Sequence, residues 1–424
     1  MYKYFIGISR RSAQKIWLTV QEKSVSYLLL SALLFSASQS SLSQAESAAN
    51  HNSEWDNFGK LSTDIRYFLE SPSNSNQLSH WQPSIQGEYE FNWQRSDNRR
   101  QFRFKPYIRL DGQDSERSHL DIRELFFRFI ENDWQLTVGI NKVFWGVTES
   151  RHLIDIINQD DVLDDIDGED KLGQLMLNLN YRQDWGTLEA FLLPHFRERS
   201  FPGSKGRLRA SQIISDNARY ESSAEQWRGD IALRYAHTVG DLDFAAYLFH
   251  GTAREAQLIK DNQLNQLIPY YQIIQQQGFE LQYTHDAWLW KIESIRRQGQ
   301  EKSFNAMVAG FEYTYYQLNE STFDLGILIE YLHDNRGDQA PATTLQKDVF
   351  LGFRLAANDT QNSTLLAGSI VDIDSNESIF FAELESRLSA SWFMEIEGRF
   401  FINSKNHSPI ENDSFITLRV KKYI

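Results

Sequence analysis

Ile85-Gln86-Gly87-Glu88-Tyr89-Glu90-Phe91-Asn92-Trp93 is the stretch on which the fold turns. In an extended strand Ile85, Gly87, Tyr89, Phe91 and Trp93 share one face, while Gln86, Glu88, Glu90 and Asn92 share the other. The pattern recurs. Phe102, Phe104, Ile108 and Leu110 alternate with Arg103, Lys105 and Arg109; Trp134, Leu136, Val138 and Ile140 with Gln135, Thr137 and Asn141; Trp392, Met394 and Ile396 with Glu395, Glu397 and Arg399. A water-soluble sandwich also alternates, but its strands run about 5–6 residues and its dry face cannot hold ions. These segments run to about 10–13 residues, enough to cross a bilayer at a tilt of about 45°. Aromatic side chains then face lipid and charges face a lumen. Only a closed barrel satisfies every backbone N–H and C=O in hydrocarbon.

Counting such segments from Phe58–Glu70 to Phe415–Ile424 gives eighteen strands, with sixteen as the alternative count. Connections after even-numbered strands are short, as at Asn132-Asp133 and Asp286-Ala287. The long ones, Ser71 to Pro83, Gly146 to Leu172, Arg197 to Glu225, Thr252 to Gln277 and Asp334 to Gln346, all follow odd-numbered strands. This parity predicts an all-β fold, a transmembrane antiparallel up-and-down β-barrel with both termini at its short-turn end.

Composition agrees once it is divided between two faces. The 424 residues are 41% hydrophobic and 13% aromatic, yet mean hydropathy is −0.50. There is no cysteine, which excludes a disulfide scaffold, a cysteine zinc site and a thiol enzyme. The net charge of −14 offers no basic face for nucleic acid. Near the start, Lys3, Arg10, Arg11, Lys15 and Lys23 precede the apolar run Val25 to Ala37, and Ser43-Gln44-Ala45 supplies small residues for cleavage. That run is well short of the roughly 20 residues a spanning helix needs. Residues 1–45 therefore read as a cleaved signal peptide, 46–57 as a disordered lead-in and 58–424 as the barrel. Export of such a chain implies the outer membrane of a Gram-negative cell.

One segment carries a resemblance. Leu136-Thr137-Val138-Gly139-Ile140-Asn141-Lys142-Val143-Phe144-Trp145-Gly146, followed by Asp155-Ile156-Ile157-Asn158-Gln159-Asp160, resembles a signature of uncharacterised bacterial outer-membrane porin-like proteins. In those relatives a strand ending in V-x-W-G leads into a loop containing N-P-x-D. Gln159 stands where they usually carry Pro, which suggests a divergent branch. The resemblance implies a porin-like barrel and no particular substrate. The C-terminal strand also resembles those of barrel proteins of this membrane, with Ile416, Leu418 and Val420 in phase, although Lys422 interrupts and Ile424 replaces the usual aromatic.

The densest chemistry lies between Asp155 and Asp170: Asp155, Asp160, Asp161, Asp164, Asp165, Asp167, Glu169 and Asp170. One expectation is a pore constriction, the loop 146–172 folding inward with Leu153, Ile154, Ile156, Ile157, Val162 and Leu163 as the apolar side of a short helix. A calcium site is a second, since clustered carboxylates suit that ion, but Asp165-Ile166-Asp167-Gly168 fails the EF-hand pattern and no metal is assigned. A solvated acidic loop is the third. Arg103, Lys105, Arg109, Arg128, Arg399 and Arg419 lie on the polar strand faces and form the expected pore wall, with Arg103, Lys105 and Arg109 facing the acidic loop.

No G-x-S-x-G, H-E-x-x-H or P-loop occurs, so no enzyme and no cofactor are expected. The expected function is passive diffusion of small polar or charged solutes. A non-conducting barrel serving as surface adhesin or structural membrane protein is the alternative. The expected partners are outer-membrane lipid and lipopolysaccharide, the barrel-assembly machinery with periplasmic chaperones, and further copies of the chain in a homo-oligomer.

Overall fold

The computed structural model describes residues 53–300, 302–337, 340–403 and 410–424. The expected signal peptide and residues 46–52 of the lead-in lie outside the described residues. The remainder of the lead-in is not a separate segment, because the first strand already begins at Ser53.

In chain order the strands are β1 (Ser53–Phe68), β2 (Trp81–Arg95), β3 (Arg100–Asp111), β4 (His119–Ile130), β5 (Trp134–Asn141), β6 (Gln174–Gln183), β7 (Gly186–Leu193), β8 (Arg219–Tyr220), β9 (Asp230–Val239), β10 (Leu242–Thr252), β11 (Gln257–Asp261) and β12 (Gln266–Tyr271). They continue with β13 (Ile273–His285), β14 (Trp288–Gln298), β15 (Phe304–Tyr315), β16 (Asp324–Asp334), β17 (Lys347–Ala356), β18 (Thr364–Asp372), β19 (Ser378–Arg387), β20 (Trp392–Ile402) and β21 (Phe415–Tyr423). Eighteen of them form one antiparallel ring, closed by β1 on β21 from Lys60 opposite Tyr423 to Phe68 opposite Phe415. The chain is thus an 18-stranded transmembrane β-barrel. The short β8, β11 and β12 form a separate sheet inside the connections, which period-two reading of the long strands had no means to detect.

Closure is completed by the last residue. Ile424 and Gly59 exchange backbone hydrogen bonds of 2.8 and 2.9 Å, and the Ile424 side chain occupies the space where a Cβ on Gly59 would stand. Lys422 does not break the outer face: its ammonium lies 5.3 Å from the Trp392 ring centre, at the short-turn rim. Trp134, Tyr181, Trp185, Tyr283, Trp288, Tyr315 and Trp392 are exposed around that rim, an aromatic girdle of the kind that marks a membrane interface.

The parity of the connections holds with two exceptions at the turn end, where 316–323 and 357–363 are longer than tight turns. Strand β5 ends at Asn141 rather than running on to Trp145. Within it Gly139, with φ of +135° and no Cβ, lets the strand lie against the Leu125 carbonyl oxygen, 2.2 Å from where that Cβ would be.

One strand departs from strict alternation. Opposite Pro106 the register between β3 and β4 slips, so that Lys105 faces Glu124 but Pro106 faces Ile122, leaving Arg123 as an extra residue. Proline cannot donate to the ladder and a bulge accommodates it. As a result Arg123 is buried while Ile122 and Phe127 are exposed on the outer face.

Candidate functional site

The residues that fill the lumen come chiefly from the connection between β5 and β6, residues 142–173. Its entrance is fixed by the bulkiest side chain available. Trp145 is buried against Tyr247, with ring centres 5.0 Å apart, and edge-on to Phe191 at 5.6 Å. Gly146 then turns the chain with φ of +148°. A Cβ there would stand 2.8 Å from His152 Nδ1, so glycine is required on both counts.

Two carboxylates of the far wall receive the backbone that follows. Glu293 on β14 accepts from the Val147 N–H at 2.7 Å, the Thr148 N–H at 3.0 Å, the Thr148 hydroxyl at 2.7 Å and the Ile154 N–H at 3.3 Å. Glu330 on β16 accepts from the Glu149 and Ser150 N–H groups, each at 2.8 Å, and from the Ser150 hydroxyl. Between these contacts Leu153, Ile154, Ile156 and Ile157 are buried in one cluster with Phe249, Ile274, Ile295, Val308, Leu328 and Phe350 from the inner wall. The apolar side expected of this loop therefore exists, but no helix carries it. Among the described residues of the loop there are only turns, bends and one isolated bridge between Asp160 and Lys171.

Asn158 closes the neck. Its amide donates to the carbonyls of Asn141 at 3.0 Å and Leu172 at 2.8 Å, and its Oδ1 accepts from the Val143 N–H at 3.0 Å. Beyond it the chain doubles back as a finger, with Leu172 N–H donating to Gln159 O and Asp161 N–H to Asp170 O.

The fingertip meets arginines on the opposite wall. Asp161 pairs with Arg123 at 2.6 Å; Asp164 pairs with Arg109 and stands 3.7 Å from Arg123; Asp165 lies 3.5 Å from Arg66 and 3.6 Å from Arg399; Asp167 pairs with Arg399 at 2.8 Å. Behind them Asp64 receives Arg109 at 3.2 Å and Arg419 at 3.0 Å. Of the other expected acids, Asp155 holds Lys171 at 3.1 Å, Asp160 holds Lys171 at 2.6 Å and Arg199 at 2.5 Å, and Glu169 holds His152. Among the described residues Asp170 makes no direct ion pair with an arginine.

The pore-wall expectation is corrected in the same way. Arg109 and Arg399 touch the finger and Arg419 supports it through Asp64. Arg103, Lys105 and Arg128 do not meet it: Arg103 pairs with Glu124 at 3.2 Å, Lys105 with Glu88 and Glu90 at 3.1 and 2.8 Å, and Arg128 donates to Thr137 at 3.2 Å. Carboxylates on adjacent strands are nearer to them than the finger is. Calcium has no place at the tip, because those carboxylates are turned to guanidinium groups. Among the described residues no group of three or more acids or histidines could hold a metal ion.

Burial and this crowd of charges shift the loop's titrations apart. Burial opposes ionisation of Asp164, but Arg109 and Arg123 outweigh it and hold the carboxyl down at about 2. Burial, with Asp164, Asp167 and Asp165 beside it, pushes Asp170 up to about 8. Burial raises Asp155 to about 6 against the pull of Lys171. Burial would lower His152, yet Glu169 and Glu293 on either side raise it to about 10.

On the short-turn side of the finger a cavity of about 470 Å³ remains, lined by Phe144, Trp145, Arg182, Gln183, Thr187, Arg234, Glu280 and Gln282 among others. Two histidines near strand ends are held by side-chain contacts: His195 is edge-on to Trp227 at 4.7 Å, and His250 bonds Arg228 at 2.8 Å.

No protein-family model matches the sequence, and no curated protein does. Several solved barrels are similar in outline. A BenF-like porin from Pseudomonas fluorescens Pf-5 shares 11% identity at a TM-score of 0.49, covering 87% of this chain and 98% of that one. OpdQ of Pseudomonas aeruginosa shares 12% at 0.47, covering 88% and 97%. OmpT, an outer membrane protein of Vibrio cholerae in its trimer form, shares 11% at 0.44, covering 88% and 100%.

Proposed function

We propose that this protein is a porin-like channel of the outer membrane, passing small polar or charged solutes by diffusion, with finger 158–172 as its constriction. It performs no catalysis in this reading, and it is a divergent relative of the porin-like proteins that its V-F-W-G and N-Q-D-D segments resemble. The observation that carries the proposal is the loop braced across the lumen, its base held by Glu293 and Glu330 on one wall and its finger by Arg66, Arg109, Arg123 and Arg399 on the other. A barrel that served only as an anchor could fill its lumen with apolar side chains. This one keeps a polar cavity below the finger, into which Arg182 and the Gln183 and Gln282 amides project.

Purified protein in planar bilayers should give discrete conductance steps, and the reversal potential in a salt gradient should report its ion preference. Silence from folded, heat-modifiable protein, both as it stands and in the unlatched variant described next, would overturn the proposal.

A further inference from the structure

The connection between β7 and β9, residues 194–229, is long enough to leave the barrel rim, and it does not project outward. It leaves β7, crosses to the loops beside β1 and β21, and returns to the hairpin of β11 and β12 between β10 and β13, half the ring away. At the first docking point the Gly203 N–H donates to Asp114 at 3.0 Å, the Lys205 carbonyl accepts from the Leu78 N–H at 2.8 Å and the Gly206 carbonyl from the Gln77 amide at 3.0 Å. At the second, Ile213 O accepts from the Leu267 N–H at 2.9 Å and the Ser215 N–H donates to Leu267 O at 2.8 Å.

Arg207 is the centre of the first docking point. Its Nε donates to Asp413 at 2.5 Å, its terminal nitrogens donate to the Ser79 carbonyl at 2.7 Å, to Glu70 at 3.2 Å and to Asn412, and its guanidinium lies 4.5 Å from the Phe68 ring centre. The second Asp413 oxygen accepts from the Leu208 N–H at 2.6 Å. Leu208 itself holds φ of +56°, a left-handed conformation that branched L-residues avoid and that a docked segment must enforce. A buried guanidinium that donates to a carboxylate and to the carbonyls of Leu78, Ser79, Glu70 and Asn412 is a strong, directional contact, and losing either partner leaves the other buried and unpaired.

We propose that residues 194–229 form a latched lid over the long-loop mouth of the barrel, with Arg207 as the bolt and Asp413 as its keeper, so that solute enters from that side only when the bolt leaves its socket. The lid rests on the channel reading for what it controls, but its latch stands on its own contacts. Arg207→Ala and Asp413→Asn should each raise single-channel conductance or the open fraction several-fold. Each should also speed trypsin cutting after Lys205, whose side chain is exposed but whose backbone is fixed in the docked strap by the Leu78 N–H. A second variant guards against misfolding: the chain has no cysteine, so Leu78→Cys with Lys205→Cys can form only one disulfide. Its oxidised form should conduct least and recover on reduction. Conductance and trypsin cutting that are unchanged in Arg207→Ala, with no redox effect in the double-cysteine protein, would overturn the lid. Protein that is silent in every form while Arg207→Ala is cut faster would overturn the channel and leave the latch standing.

Discussion

The two ends of the intraluminal loop are held by opposite chemistry. At the anchor, Glu293 and Glu330 are carboxylates that accept backbone and hydroxyl donors while Leu153 to Ile157 pack into a continuous apolar cluster. At the tip the loop supplies the carboxylates and the wall supplies guanidinium groups: Asp161, Asp164, Asp165 and Asp167 meet Arg123, Arg109, Arg66 and Arg399, and Asp170 lies beside them as a surplus carboxyl. A charge that accepts several N–H donors has its partners fixed by backbone geometry. An ion-paired cluster with surplus carboxylates depends on which of them are protonated. The comparison teaches that one loop can be fastened permanently at its base and conditionally at its tip.

The largest expected effect breaks the tip outright. Deleting Asp160 to Asp170 joins Gln159 to Lys171 at a place where the two arms are already side by side, since Leu172 N–H donates to Gln159 O. Conductance should rise several-fold and ion selectivity should fall. Unchanged single-channel values would place the finger outside the current path. Breaking the anchor comes next. Glu293→Ala removes an acceptor shared by four donors; at about 1.5–3 kcal/mol for each hydrogen bond to a charged group, the loop base should detach while the strand ladder stays intact. The checks are retained heat-modifiability, faster proteolysis within 146–157 and noisy conductance. Glu293→Gln, which keeps one carbonyl acceptor, should fall between the two proteins. Equal stability of all three would show that the apolar cluster alone holds the base.

A smaller, reversible effect separates the ends by pH. Asp170, raised to about 8 by burial and its acidic neighbours, favours docking when protonated, so its charge is forced into the tip as pH rises from its ordinary range through about 8. Asp164, held down at about 2, stabilises docking above its ordinary value and loses that contribution only as pH falls through about 2. His152, raised to about 10, contributes fully below its ordinary value near 6.5 and ceases to as pH rises through about 10. Hydrogen exchange at 160–170, corrected for its intrinsic pH dependence, should therefore quicken progressively between about pH 4 and 8, and Asp170→Asn should abolish that rise while leaving the separate loss through His152 between about pH 6.5 and 10. The anchor amides should show no part of the Asp170 rise. Survival of that rise in Asp170→Asn would assign it to another group.

How much of this was legible in the sequence follows from what alternation can and cannot express. Phe91, Glu90 and their neighbours announced both faces of a strand, and the parity of loop lengths announced closure. The inward course of the acidic loop was legible in its own apolar residues. Arg123 was not, because the bulge opposite Pro106 reverses the phase of β4 and places it inward beside Glu124. Arg66 and Asp64 were available, since Leu61 and Ile65 alternate with them, but their importance depends on a partner a hundred residues away. The apolar inner wall was also hidden. Phe304, Ala306 and Val308 face inward while Met307 faces lipid, so that strand is apolar on both sides and its phase carries no information about which side is wet.

Salt offers the smallest effect and the sharpest statement of the comparison. At about 1 M ionic strength the screening length is about 3 Å, but screening of this kind acts where solvent reaches the charges. Arg109 is fully buried and Asp164 nearly so, whereas Glu169 is exposed beside His152. Raising salt from low to molar concentration should therefore loosen only the Glu169–His152 side of the finger, by less than twofold in exchange rate. The Arg109–Asp164 contact and the Glu293 anchor should hold. A loss of protection across the whole tip would mean that ions penetrate between finger and arginine wall, and the conditional end would then be a hydrated contact rather than a desolvated one.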